Sequence, residues 1–133
     1  VFFDKLSLRQ KSALLGLAKR MMIADALVRV EEDALYTVLK SELGPGVDAP
    51  SDYVFGEIDV SPFDDPFSQM VLVLTLSVMA YVDDNFHHSE SSVLDEVKSK
   101  LNFSEDDLRI MMDIAERQGA LIKDVQALFV RIC

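Results

Sequence analysis

Residues 65–84 read DPFSQMVLVLTLSVMAYVDD, the most apolar stretch of a 133-residue chain. The uncharged run Met70 to Val82 is too short for the roughly 20 residues a membrane span needs, and Asp64, Asp65, Asp83 and Asp84 bracket it. Asp65 before Pro66 is a helix-start signal: a carboxylate caps the first orphan amides, and proline at the first helical position has no amide to leave unpaired. Phe67 to Val82 is therefore predicted to be a central buried helix.

Working outward, Ser7-Leu8-Arg9-Gln10 is a capping box, and Leu14, Ala18, Met21 and Met22 follow at helical spacing to about Asp25. Leu35, Val38, Leu39 and Leu43 mark a second amphipathic helix, which Gly44-Pro45-Gly46 stops. The 22 residues from Gly44 to Asp65 hold three prolines and are too many for a structureless connection, so Ser51-Asp52 with Val54, Phe55 and Ile58 is expected to form a short helix. Ser89 to Leu101 predicts another helix, and Ser104-Glu105-Asp106-Asp107 opens one carrying Leu108, Met111, Met112 and Ala115. Gly119 is expected to end it, with Leu121, Ile122, Val125, Leu128 and Phe129 restoring the period to the end. No segment alternates with period two, so the class is all-α, a compact helical bundle.

A shift of 58 residues brings Leu14 onto Leu72, Met21 onto Met79, Asp25 onto Asp83 and Glu32 onto Glu90. Lys40-Ser41 then falls on Lys98-Ser99, and Leu35 and Leu39 fall on Val93 and Val97. The chain reads as one domain, 1–133, in which two pseudo-repeated helical hairpins, about 7–44 and 65–102, precede C-terminal helices over about 104–133.

Each copy places an Asp at the end of its first helix and a Glu seven residues on, near the third position of the next. A carboxylate at a helix C-terminus sits at the unfavourable end of the dipole, so something must compensate. One reading is local: the Asp accepts turn amides and the Glu satisfies an amide of the helix it opens. The other is a divalent cation, Ca, Mn and Zn not being distinguishable, held by Asp25, Glu32, Asp83 and Glu90 with Asp84 and His87 as auxiliary groups. The second corner is richer, gathering Asp83, Asp84, Asn85, His87, His88 and Glu90 within eight residues. It is no EF-hand, since His88 and Leu94 stand where that loop needs Gly and Glu, and the chain lacks the paired Glu-x-x-His motifs of a di-iron bundle.

Met22-Ile23-Ala24-Asp25 with Glu32, and Ala80-Tyr81-Val82-Asp83 with Glu90, resemble the two copies of the signature in the tellurite-resistance TerB-like family, over about residues 7 to 118. The family Asp falls on Asp25 and Asp83 and its Glu on Glu32 and Glu90, while Ala26 and Asp84 stand where the family has glycine. The resemblance implies a small all-helical fold and a cytoplasmic bacterial stress-response protein. It also implies that the protein acts with other proteins of an assembly and binds metal through its acidic residues.

Composition narrows the classes. With 13 Lys and Arg against 23 Asp and Glu, net −10, the chain would repel a nucleic-acid backbone. Its single cysteine, Cys133, forms neither an internal disulfide nor a cysteine-based zinc cluster. No nucleophile stands beside a base in a recognisable elbow and no glycine-rich phosphate loop occurs, so a non-catalytic protein is expected. The six methionines lie at helical spacing and are expected to fill core.

Overall fold

The computed structural model describes residues 3–23, 30–82 and 88–133, and at 30–34 and 88–91 it describes the backbone alone. Among the described residues there are six α-helices and no strand: α1 (Leu8–Met22), α2 (Val30–Leu43), α3 (Ser51–Phe55), α4 (Pro66–Val82), α5 (His88–Ser99) and α6 (Glu105–Ile132), after a single 3-10 turn, Phe3–Lys5. The all-α bundle is thus observed.

The predicted starts are built as the sequence indicates. Ser7 Oγ accepts the Gln10 amide at 3.1 Å while Gln10 Oε1 accepts the Ser7 amide at 3.0 Å, closing the capping box. Asp65 Oδ1 accepts the Ser68 amide at 2.7 Å ahead of Pro66. Ser104 Oγ accepts the Asp107 amide at 3.1 Å. The short helix in the connection is α3, and Gln10 Nε2 crosses to the Pro62 carbonyl at 3.1 Å and Asp64 Oδ1 at 3.4 Å, so the starts of α1 and α4 adjoin.

The 58-residue shift carries Leu8 onto Pro66 and Val30 onto His88, the first residues of α1, α4, α2 and α5, and the N-cap Ser7 onto the N-cap residue Asp65. Burial follows the same register. Leu14 with Leu72, Met21 with Met79, Leu39 with Val97 and Leu43 with Leu101 are all buried, as are the polar pair Gln10 and Ser68. The core therefore has two central helices. Alongside α4 stands α1, packed by α2, α3, α4 and α5 and buried at Ala13, Leu14, Leu15, Leu17 and Ala18.

Three expectations need correcting. α1 stops at Met22 rather than near Asp25, because Ile23 leaves helical geometry as its C-cap. α5 ends at Ser99, two residues early. The larger correction is at Gly119, which breaks nothing: α6 runs 28 residues through it as one helix, not two. A Cβ on Gly119 would come 2.8 Å from Tyr81 Cβ, so the glycine is there to let α6 approach α4. Such an approach offsets the roughly 1 kcal/mol a helical glycine costs.

Candidate functional site

Asp25, Asp83, Asp84 and His87 lie outside the described residues. Glu32 and Glu90 are the third residues of α2 and α5, with their side chains outside the description. The backbone therefore agrees with the sequence on one point, that both glutamates occupy the same turn of equivalent helices. Among the described residues no group of three or more His, Cys, Asp and Glu is gathered as a metal site would require.

A different feature is prominent. α2, α4 and α6 enclose an open groove of about 740 Å³. Met70, Leu74 and Val78 of α4 form its floor, Leu35, Val38 and Leu39 of α2 one wall, and Ile114, Leu121 and Ile122 of α6 the other. Its size is that of a ligand pocket or of a trough for the side chains of a docked helix. Glu42 is the one charged residue among the described lining, and Thr75, Gln118 and Gln126 are its uncharged polar members. Such a lining is largely apolar and offers orientation through a few polar groups, but it brings no acid, base and nucleophile together.

The groove continues onto α6. Ser77 Oγ reaches Met112 Sδ at 3.6 Å and Tyr81 packs on Gly119, so α4 and α6 run in the same direction. α4 ends at Val82, one residue beyond Tyr81, whereas α6 has 13 residues still to run from Ala120 to Ile132, about 20 Å of helix. Met111, Ala115 and Gly119 are its buried residues, and beyond them Leu121, Val125, Leu128, Phe129 and Ile132 are between 53% and 72% exposed. The sequence predicted their helical period; it did not predict that the chain leaves them uncovered. Val38, one of the residues that mark the amphipathic pattern of α2, is 52% exposed on the groove wall. Met21, Met22, Met79 and Met111 fill core as expected, while Met70 lines the groove.

Among the described residues, the shifted ionisable groups lie away from the groove lining. Hydrogen bonds from the Ser61 backbone amide and side chain hold the Asp59 carboxyl below the usual range, and the Ser68 amide does the same for Asp65. Burial, reinforced by the Asp48 charge, pushes the Tyr36 phenol up. None of these belongs to a catalytic cluster, and Cys133 is a free, exposed thiol. No helix among the described residues is long and apolar enough to cross a membrane.

Compared with protein-family models, curated proteins and solved structures, the chain has no match.

Proposed function

We propose that this chain is a TerB-like, non-catalytic adaptor of a cytoplasmic bacterial stress response linked to tellurite and metal resistance. In this reading it works with other proteins of an assembly and binds a divalent cation at its acidic hairpin corners. The observation that carries the reading is the register of the two hairpins. α2 and α5 begin 58 residues apart, so Glu32 and Glu90 are third residues of equivalent helices, and the segments holding Asp25 and Asp83 join equivalent pairs of helices. A repeated acidic corner on a repeated hairpin is the pattern on which the family resemblance rests. Asp83 and Glu90, with Asp84 or His87, are the principal ligand set, because the second corner has the denser charge. Asp25 and Glu32 form the weaker site.

The same register supports a second reading, a metal-free interaction domain. A glutamate at the third helical residue is where a capping box places it, and the corners then serve only to turn the chain.

Calorimetric titration with Ca²⁺, Mn²⁺ and Zn²⁺ separates the two. Under the first reading, wild type binds at least one of these ions with weak to moderate affinity, Asp83→Ala abolishes most of the heat, and Asp25→Ala removes less. Affinity also falls as pH drops towards carboxylate pKa values, since protonated ligands release metal. No heat with any of the three ions in wild type leaves the metal-free domain standing.

A further inference from the structure

We propose that the C-terminal half of α6 is a dimerisation element. Two copies of this chain pair it antiparallel about a two-fold axis near Val125, each laying its last turns across the other's α2–α4–α6 groove. This inference is independent of the cation reading.

Gln118, Leu121, Val125, Leu128 and Ile132 recur at alternating spacings of three and four, the seam by which one helix meets another. Of these, Leu121, Val125, Leu128 and Ile132 are exposed. A seam on one chain needs a matching seam, and a second copy supplies an identical one through a closed two-fold contact.

Val125 is the midpoint of Gln118 to Ile132, so antiparallel pairing sets Ile132 of one copy beside Gln118 of the other, at the groove wall. It also sets the helix dipoles head to tail. Parallel pairing forces the two bodies, both attached before Gly119, onto the same end and leaves both grooves uncovered.

Charge favours the same partner. Residues 120–133 carry Lys123 and Arg131 against Asp124, a net +1 segment in a chain of net −10. The tail thus carries no net negative charge for an acidic second copy to repel. Area is adequate too. Leu121, Val125, Leu128, Phe129 and Ile132 offer about 500 Å² per copy, and with the groove surface each tail covers, the total falls within the roughly 1,200–2,000 Å² of stable interfaces.

The test is sedimentation equilibrium on the 133-residue chain over a dilution series, with helicity followed by circular dichroism. A dimer of twice 14.9 kDa with Kd below about 10 µM is expected. The doubly substituted Leu121→Glu, Leu128→Glu chain should be monomeric with unchanged helicity, because both residues are exposed in the single chain. Val38→Glu, on the opposite groove wall, should weaken the dimer at least tenfold, which a contact between tails alone does not require. Under oxidising conditions, Val125→Cys in a Cys133→Ser background should link two copies across the axis. Wild type should not, since antiparallel pairing holds its two Cys133 residues about 24 Å apart. A monomer at about 100 µM, whatever else it binds, overturns the proposal. So does a dimer indifferent to the tail substitutions or to Val38→Glu, or one that wild-type Cys133 readily cross-links.

Discussion

The two hairpins use one packing device in opposite senses. In the first half the glycine is on the hairpin helix: a Cβ on Gly16 of α1 would lie 2.6 Å from Tyr53 Cβ of α3. In the second half the glycine is on the covering helix, where Gly119 of α6 seats on Tyr81 of α4. The strips covered also differ. α3 closes over Gly16 and is tied down by Arg20, whose guanidinium donates to the Val54 and Gly56 carbonyls. The residues 58 positions on, Leu74 and Val78, are floor of the groove, because α6 lies instead over Ser77 and Tyr81. Repetition thus accounts for the core, and divergence between the copies accounts for the open surface.

The severest way to break this comparison is to attack what the halves share. Leu14 and Leu72 are both fully buried at equivalent positions. Leu14→Ala and Leu72→Ala should each cost about 3–4 kcal/mol from lost burial and the cavity left behind. Urea unfolding midpoints measure this, and a difference beyond about 1 kcal/mol between the two would mean that the core does not treat the halves as equivalent.

A smaller effect sharpens what they do not share. Gly119→Ala should destabilise by about 2 kcal/mol, because the added methyl meets the stem of Tyr81 and its carbonyl carbon 3.3 Å away, and α6 must lift off α4. Gly16→Ala meets Tyr53 Cβ at 2.6 Å and so displaces α3, but α3 is a five-residue helix whose one buried residue is Val54, and moving it disturbs less packing than lifting α6 off α4. Its net cost should be about 1 kcal/mol after the gain in helix propensity. The reverse order in thermal or urea unfolding would show α3 to be the more rigid cover.

These cases explain what was legible in the sequence. The caps at Ser7, Asp65 and Ser104 were, since each is settled within four residues of chain. The positions of Glu32 and Glu90 near the third residue of their helices were readable too. Gly119 was not, because a helix-breaking glycine and a close-packing glycine look alike until Tyr81 is known to lie beneath it. The apolar period from Leu121 to Ile132 announces a helix that needs covering but carries no statement of which chain covers it. The groove was likewise hidden, being made by the placement of three helices distant in sequence.

The smallest effect tests the two halves at their caps, where Ser7 and Asp65 occupy equivalent positions with different chemistry. The Ser7 hydroxyl does not titrate, so Ser7→Ala should cost about 1 kcal/mol at any pH at which the protein stays folded. Asp65 is held below the usual carboxylate range chiefly by the Ser68 amide. Its folded pKa is therefore lower than its unfolded one, near 3.9. Above that unfolded value both states are ionised and the charged cap contributes in full; as pH falls through the lower folded value the carboxylate is protonated and the contribution disappears. Asp65→Asn keeps an acceptor oxygen but never the charge. Its midpoint should lie below that of wild type at neutral pH and converge with it as pH falls through the lowered folded pKa, while the gap between Ser7→Ala and wild type stays constant. A gap for Asp65→Asn that does not narrow on acidification would show that the second cap, like the first, works as a neutral acceptor.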